Sequence, residues 1–322
     1  MKTLRVPTSC GEIQLSKIVL GSSNFGTRIH EDAAFMLLET YAQHGGSTID
    51  TASVYGDWQD EGIHPSEACI GKWLTQSHYG KEMVVISKCC HPLILRPGSR
   101  VGAEYIAHDL EHTLRSLGRD WVDVYLLHRD DTSVPVSEII DTLHKYVLAG
   151  NIKAIGASNW SVARFDEANR YATDKGLTPF ALSEMEWGLA HAIPHPNDPN
   201  ALPMLERKDY EYYYSHGIPV LAYSSQGGGV IAKLAAGRED VIAPRFREKY
   251  LNGITRRRME NTLRICREYG ITPTQAVLAY ITCNALPAAA IIGPGSMSQL
   301  LDSLTAADVY LPPHVMCELV RL

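Results

Sequence analysis

One pattern recurs eight times along the chain: a short apolar segment rich in β-branched residues, then a longer segment with helical periodicity. The short segments are typical of buried strands, and the longer ones are typical of amphipathic helices. Strands that alternate with helices form a parallel sheet. Eight such units without a break in composition predict one α/β domain over residues 1–322, a single (β/α)8 TIM barrel. The predicted strands are 18–21, 47–52, 83–88, 122–128, 152–156, 180–186, 219–224 and 288–292, and the predicted helices are 32–44, 65–76, 104–117, 136–149, 162–173, 202–216, 256–269, 273–284 and 297–306.

Short segments at both ends lie outside this repeat. Residues 4–6 and 12–15 flank a turn at Ser9-Cys10-Gly11, which is typical of an N-terminal β-hairpin, and we expect it to cover the closed end of the barrel. Residues 312–322 are expected to form a short C-terminal helix. Two stretches, 188–203 and 227–253, follow strands six and seven. We expect them to be irregular loops on the active-site face, where long loops set specificity.

Charge and hydropathy exclude several classes of partner. The chain has 30 basic and 36 acidic residues, a net charge of −6, so we expect no nucleic-acid partner. No apolar run approaches the length of a membrane span, and the N-terminus lacks the apolar core of a secretory signal. Seven cysteines show no disulfide framework, and we expect the neighbours Cys89 and Cys90 to be reduced thiols. These features predict a cytoplasmic protein with a small-molecule partner, and no pattern specifies an oligomeric state.

Four polar residues stand at or just after the ends of the second, third and fourth predicted strands: Asp50, Tyr55, Lys88 and His128. In a parallel barrel such positions face one shared site. A tyrosine is a poor acid at neutral pH, and a lysine cation beside it favours the phenolate and lowers its pKa. Asp50 would keep Lys88 charged, Tyr55 would protonate a developing alkoxide, and His128 would hydrogen-bond the same oxygen. This arrangement suits hydride addition to a carbonyl carbon.

Hydride addition needs a donor, and the far side of the predicted barrel is suited to a dinucleotide. The glycine-rich run 293–298 opens a helix after strand eight, where backbone N–H groups bind phosphate. Tyr223 and Ser224, after strand seven, offer an aromatic face and a hydroxyl group. No Gly-x-Gly-x-x-Gly run occurs early in a strand–helix–strand unit, so a Rossmann domain is not expected.

Several segments in series carry a specific resemblance: Asp50-Thr51-Ala52-Ser53-Val54-Tyr55-Gly56, Ser87-Lys88, Leu126-Leu127-His128-Arg129, Ile152-Lys153-Ala154-Ile155-Gly156-Ala157-Ser158-Asn159-Trp160, Ala222-Tyr223-Ser224 and Thr272-Pro273-Thr274-Gln275-Ala276. On these segments the chain closely resembles the aldo-keto reductases along essentially its whole length. The resemblance implies that Tyr55 is the acid, that Lys88 and Asp50 tune it, and that His128 orients the carbonyl group. It also implies an oxidoreductase that interconverts an aldehyde or ketone, possibly sugar-like, with its alcohol.

The resemblance further implies a nicotinamide cofactor that lies extended over the barrel mouth. Ser158 and Asn159 would bind the carboxamide group, and Tyr223 would stack on the ring. The full set of expected cofactor contacts is Ser23, Ser158, Asn159, Glu184, Tyr223, Ser224, Gly293, Gly295, Ser296 and Gln299.

Two departures from the family pattern bear on the cofactor. Glu184 stands where the family usually has glutamine, and an ionised carboxylate accepts hydrogen bonds but donates none. The stretch 293–299 contains no arginine or lysine, whereas relatives selective for NADP carry one there. NADP(H) is the favoured cofactor by family habit, and NAD(H) is not excluded.

Other interpretations remain open from sequence. Trp58 and Trp187 are either substrate-wall residues or loop anchors, and His191 and His195 are expected to be solvated. Ser158 in Gly156-x-Ser158-x-Trp160 is close to a hydrolase nucleophile elbow but lacks its second glycine. A metal-dependent barrel isomerase or hydrolase is an alternative, with ligands drawn from Glu184, Glu186, His128 and Asp130, although no metal site is predicted. A cofactor-sensing regulatory subunit on the same barrel is another.

Overall fold

Eight parallel strands close into a barrel in a computed structural model that describes residues 1–8, 11–58, 64–93, 98–193, 202 and 204–322. The barrel order is β3 to β10 in sequence, and β10 pairs with β3 to complete the ring. This confirms the predicted (β/α)8 barrel. The barrel strands are β3 Ile18–Gly21, β4 Thr48–Asp50, β5 Val84–Cys89, β6 Val122–Leu127, β7 Ile152–Ser158, β8 Leu182–Glu186, β9 Val220–Tyr223 and β10 Ala288–Ile292.

Helices follow the strands and surround the barrel, as the periodicity predicts. Several of their ends have identifiable caps: for example, Gly118 and Gly176 end their helices with a left-handed backbone conformation. The helices are α1 Glu31–Gln43, α2 Pro65–Gln76, α3 Ala103–Leu117, α4 Val136–Leu148, α5 Val162–Lys175, α6 Arg207–His216, α7 Val230–Ala235, α8 Pro244–Tyr250, α9 Gly253–Tyr269, α10 Pro273–Thr282, α11 Met297–Leu304 and α12 Pro313–Val320.

The stretch 227–253 is not the irregular loop expected from sequence. It holds α7 and α8, together with two 3₁₀ turns, Gly227–Gly229 and Glu239–Val241. Both helices are too short to show helical periodicity, and three successive glycines with positive φ precede the first of them. The sixth predicted helix also begins later than expected, at Arg207, because Glu206 and Asp209 form a reciprocal cap at its start.

The N-terminal hairpin closes one end of the barrel, as predicted. Strands β1 Thr3–Thr8 and β2 Gly11–Ser16 pair antiparallel, and the predicted turn residues Ser9 and Cys10 lie outside the described part of the chain. Leu15, buried on β2, joins the same apolar cluster as the barrel-interior residue Val124. The backbone N–H of Ser16 donates to the Thr48 hydroxyl at 2.8 Å, at the start of β4. The hairpin therefore covers the N-terminal ends of the strands.

Two layers of apolar side chains result from the twofold alternation of each strand. On β6, Val124 and Leu126 belong to the cluster inside the barrel, while Tyr125 and Leu127 pack outward among the helices. At the C-terminal helix, Val315 and Leu319 pack in a third cluster with Ile265 of α9. Among the described residues, no helix combines the length and hydropathy needed to cross a membrane.

The hairpin covers the N-terminal end of the barrel, so the C-terminal end is the one that is open to polar groups.

Candidate active site

Lys88 is fully buried on β5, and the fold gives each of its three N–H groups an acceptor. Its Nζ donates to Asp50 Oδ1 at 2.5 Å, to the Thr51 carbonyl oxygen at 3.0 Å and to the Tyr55 hydroxyl at 3.2 Å. Asp50 ends β4, and Tyr55 lies in the turn that follows it. A buried ammonium without partners would be strongly disfavoured, so these contacts explain how the strand ends tolerate it. The structure thus brings three of the four predicted catalytic residues into direct contact.

The charges around Lys88 keep it protonated. Burial alone would lower the pKa of Lys88, but the carboxylates of Asp50 and Glu184 outweigh burial and raise it. For Tyr55, burial raises the pKa and outweighs the opposing effect of the Lys88 cation. This net direction is opposite to the lowering expected from sequence. The free energy lost when a phenolate is desolvated is larger than the free energy gained from its attraction to Lys88, whose charge is shared with other groups. Tyr55 therefore holds its proton at neutral pH and is poised as a donor.

Glu184 turns the Lys88–Asp50 pair into a cluster of three ionisable groups. Its Oε2 lies 3.4 Å from Lys88 Nζ. This ion pair is longer than the three hydrogen bonds that Lys88 donates to Asp50, Thr51 and Tyr55. Burial and the charge of Asp50 raise the pKa of Glu184 to about 8. Burial also raises the pKa of Asp50, against the effect of Lys88. Two carboxyl groups beside one ammonium thus favour one retained proton near neutral pH.

His128 follows β6 and faces the same site. Its ring meets the Tyr55 ring edge-on at 5.8 Å between centroids, and its backbone N–H donates to the Cys89 carbonyl oxygen at 2.9 Å. Burial, and then the charges of His91, Arg129 and Lys88, holds the pKa of His128 well below its usual range. Its Nδ1 is buried without a hydrogen-bond partner. The imidazole is therefore neutral and has an unused polar atom in the site.

The three residues expected at the nicotinamide form a hydrogen-bonded chain. The Tyr223 hydroxyl donates to Asn159 Oδ1 at 2.7 Å, and Asn159 Nδ2 donates to Ser158 Oγ at 2.9 Å. The same Nδ2 also reaches the His128 carbonyl oxygen at 3.2 Å. This chain joins the ends of β7 and β9 to His128.

The other expected cofactor contacts lie further around the strand ends. Ser23 is half-buried after β3, and Ser224 is exposed after β9. At α11, Ser296 is the N-cap and accepts from the Gln299 backbone N–H, while the Gly295 N–H donates to Gln299 Oε1 at 2.7 Å. Gly293, Gly295, Ser296 and Gln299 are all exposed. Their role as a phosphate site stays a prediction.

Strained backbone marks the same end of the barrel. Among the described residues, four that are not glycine have φ between 47° and 64°, and each follows a barrel strand or opens the next helix: His64, Cys90, Asn159 and Ser224. A left-handed conformation costs energy for residues with a Cβ atom, and such strain concentrates at functional sites.

The two tryptophans expected at the substrate wall differ in position. The Trp58 ring lies 6.3 Å from the Tyr55 ring and is 41% exposed, so it borders the site. Trp187 is 8% exposed, and its ring packs edge-on against Tyr210 and Tyr280 in the outer core. The structure does not bring Trp187 next to Tyr55.

Groups invoked for the alternative chemistries are engaged elsewhere. Glu186 binds Lys249 at 2.7 Å and the Tyr250 hydroxyl, and Asp130 pairs with Arg164 at 3.3 Å. Within the described residues, no three His, Cys, Asp or Glu side chains converge as a metal site would require. Ser158 Oγ accepts a hydrogen bond from Asn159 Nδ2, and among the described residues no hydrogen bond joins it to a histidine base. His191 is half-exposed as a loop residue, and His195 lies outside the described residues.

Two contacts at this face were not anticipated from sequence. Asp57 accepts the backbone N–H of His64 at 2.7 Å, and its Oδ2 lies 3.1 Å from His64 Nδ1, which pairs the two ends of the segment after Tyr55. Arg129 Nη2 contacts His91 Nε2 at 3.1 Å beside His128. The seven-residue separation of the first pair has no sequence signature. Arg129 and His91 follow different strands, β6 and β5. Only the position of Arg129 next to His128 could have suggested their contact.

Comparison with known proteins agrees with this geometry. The model of the Aldo/keto reductase family matches residues 17–322. The chain is 25% identical to "Uncharacterized oxidoreductase YrpG" of Bacillus subtilis, over 94% of this chain and 91% of that protein. It is 26% identical to "Aryl-alcohol dehydrogenase [NADP(+)]" of Phanerodontia chrysosporium, over 95% and 82%. A solved structure of the thermostable aldo-keto reductase Tm1743, in complex with the inhibitor epalrestat, has a TM-score of 0.71 at 21% identity and covers 99% of this chain and 98% of that one. The last likeness bears on the fold alone.

Proposed function

The chain belongs to the aldo/keto reductase family and is an oxidoreductase of carbonyl groups and alcohols, and on that premise we propose that Tyr55 is its general acid and base. In reduction, the Tyr55 hydroxyl gives its proton to the carbonyl oxygen while a hydride reaches the carbonyl carbon. In oxidation, the same oxygen takes the proton back. The observation that carries this proposal is the Lys88 ammonium, 3.2 Å from the Tyr55 hydroxyl and 2.5 Å from Asp50.

The neighbours of Tyr55 have complementary roles in this step. As the proton leaves, negative charge develops on the Tyr55 oxygen, and the Lys88 cation stabilises it at short range. Asp50 keeps that cation oriented. His128 is neutral, so it can donate a hydrogen bond to the carbonyl oxygen without adding a second full charge.

The polar groups at the mouth fit a nicotinamide cofactor. His128 Nδ1 is buried without a hydrogen-bond partner, and Asn159 and Tyr223 present amide and aromatic groups at the neighbouring strand ends. When bound, the nicotinamide supplies the hydride. Ser158 and Asn159 would hold its carboxamide, and Tyr223 would cover its ring. We propose NADP(H), the cofactor named for one relative, with NAD(H) as a second cofactor, because residues 293–299 provide no basic side chain for a 2′-phosphate.

We extend the proposal to a reducing, cytoplasmic compartment. The six cysteines in the described part of the chain are all free thiols, and Cys89 and Cys90 are fully buried. Free thiols are the usual state of cysteine in the cytosol.

The test is Tyr55→Phe, which removes one hydroxyl and keeps the ring. The kcat for reduction of a benzaldehyde panel should fall by about 10² or more, since general acid catalysis typically supplies about 10²–10⁴ in rate. The Kd for NADPH should stay within about threefold, because the residues assigned to the cofactor are unchanged. Tyr214→Phe, at an exposed tyrosine on α6, is the control.

Unchanged kcat in Tyr55→Phe, with only a lowered melting temperature, would make Tyr55 a structural residue and refute the proposal. Wild-type protein that binds NADPH tightly but turns over no carbonyl compound would instead favour the cofactor-sensing regulatory subunit.

A further inference from the structure

Arg129 is a half-buried cation at the C-terminal end of β6. Its Nη1 donates to the His128 carbonyl oxygen at 2.9 Å, and its Nη2 donates to His91 Nε2 at 3.1 Å. His91 Nδ1 lies 2.7 Å from the Pro92 carbonyl oxygen, so the network assigns the ring hydrogen to Nδ1 and leaves Nε2 as an acceptor. Burial and then the charge of Arg129 lower the pKa of His91 to about 4. Both partners of the guanidinium are therefore neutral.

No carboxylate in the described residues pairs with Arg129. The next residue, Asp130, turns to Arg164, and Asp131 accepts the Ser133 backbone N–H at 2.9 Å. Burial is the largest influence on the pKa of Arg129 and lowers it. The His91 ring that accepts from Arg129 lies 4.6 Å from the His128 ring, so Arg129 lies beside the candidate site, and its charge is partly desolvated without a carboxylate partner.

Arg258 on α9 is also half-buried and pairs with no carboxylate in the described residues, but three arginines nearer to Arg129 along the chain are neutralised. Arg100 contacts Asp109, Arg119 lies 3.5 Å from Asp123, and Arg164 meets Asp130. An uncompensated, partly buried charge lowers stability, so a cation left unpaired beside an active site points to a ligand that supplies the anion.

We propose that Arg129, held by His91, is an oxyanion subsite that selects carbonyl substrates carrying a carboxylate or phosphate group. The proposal rests on the reductase function proposed above and names its substrate class. A guanidinium has five N–H groups, and the contacts to His128 and His91 use two of them. The remaining N–H groups can donate to carboxylate or phosphate oxygens.

The position of Arg129 favours substrate over cofactor phosphate. Its backbone carbonyl accepts the Trp160 indole N–H at 3.1 Å, and the adjacent His128 carbonyl accepts from Asn159. These contacts attach Arg129 to the end of the site assigned to the nicotinamide and the reacting carbonyl. The phosphates are assigned to the start of α11, after β10.

The experiment compares matched substrates in wild type and two variants. One pair is 4-carboxybenzaldehyde and its methyl ester, and the other is glyceraldehyde 3-phosphate and glyceraldehyde; the two pairs distinguish carboxylate from phosphate. The readout is the ratio of kcat/KM, charged over neutral, because a ratio cancels any general loss. Arg129→Gln should lower that ratio at least about tenfold for one pair, as expected for a lost charge-assisted contact. Arg129→Lys should lower it less.

Arg170→Gln, at an exposed arginine of α5 paired with Asp166, controls for removing one positive charge and should leave both ratios unchanged. Melting temperatures and NADPH Kd values establish that each variant is folded and loaded. Wild-type ratios near one for both pairs, or ratios that Arg129→Gln does not change, would overturn the subsite. A loss of NADPH affinity with unchanged ratios would assign Arg129 to the cofactor.

Failure of the proposed function itself gives a different result. If wild type reduces none of the four compounds, calorimetric binding to the complex with NADP⁺ decides the subsite. The carboxylate should then bind more tightly than the ester in wild type and not in Arg129→Gln, and equal binding would refute it.

Discussion

At the scale of single residues, Glu184 is the feature that most distinguishes this site. It brings a second carboxyl group to within 3.4 Å of an ammonium that already has a full set of acceptors. A glutamine there would give the same shape without the charge. The carboxyl group therefore makes the protonation of the site depend on pH in the neutral range, which a glutamine would not.

Glu184→Gln should change how stability depends on pH. The folded-state pKa of Glu184 is about 8, above its ordinary value of 4.5, so the folded protein holds this proton more tightly than the unfolded chain. The stabilisation of the folded state by this bound proton is fully present below about pH 4.5 and is lost as pH rises through about 8. One pKa unit corresponds to about 1.4 kcal/mol, so the loss is on the order of a few kcal/mol.

Melting temperatures of wild type and Glu184→Gln should therefore nearly coincide at pH 5, and the variant should be the more stable by pH 8.5. Glu211→Gln, on the exposed face of α6, is the matched control for removing one carboxylate. A difference between Glu184→Gln and wild type that stays constant from pH 5 to 8.5 would contradict the raised pKa.

At the scale of elements, the close spacing of barrel strands depends on Gly156 of β7. A Cβ atom built there would lie 2.8 Å from Leu126 Cδ2 of β6 and would collide with the Leu182 carbonyl oxygen of β8. The backbone φ of Gly156 is not positive, so the constraint is space and not backbone strain. Gly156→Ala should lower the free energy of unfolding by about 1–3 kcal/mol, the usual cost of overpacking.

Urea denaturation of Gly156→Ala and of Gly253→Ala tests this point. Gly253 opens α9, has no positive φ, and a Cβ atom there meets no neighbour within 4 Å. Its replacement should leave stability unchanged or raise it, since alanine favours a helix. Equal effects of the two substitutions would show that β7 can move away from its neighbours.

The strands and helices also differ in how well the sequence predicts them. The barrel strands were predictable because each is a short apolar run bounded by turn residues. The grouping of Asp50, Tyr55, Lys88 and His128, hereafter the tetrad, was predicted from the C-terminal ends of those strands. The helices α7 and α8 were not, because six or seven residues show too little periodicity. The direction of the Tyr55 pKa and the pairing of Arg129 with His91 depend on burial and on contacts between strands, which spacing along the chain does not encode.

At the scale of the whole molecule, the two ends of the barrel carry different tasks. The tetrad and the strained residues lie where the strands end, and the hairpin seals the end where they begin. We propose that residues 1–322 form one domain, since β10 pairs with β3 and the hairpin packs into the barrel interior. In such a barrel the N-terminal face serves stability and the C-terminal face serves function.

Leu15→Ala tests this division of tasks. Leu15 is fully buried on β2 in the cluster that fills the barrel interior, so truncating it leaves a cavity. The free energy of unfolding should fall by about 2–5 kcal/mol. Because the tetrad lies at the opposite end of the strands, kcat of the folded enzyme should stay within about twofold. Gln14→Ala, at the exposed neighbour on β2, is the control and should change neither quantity. A large loss of kcat in folded Leu15→Ala would show that the closed end is coupled to the chemistry, and the two faces would then not be independent.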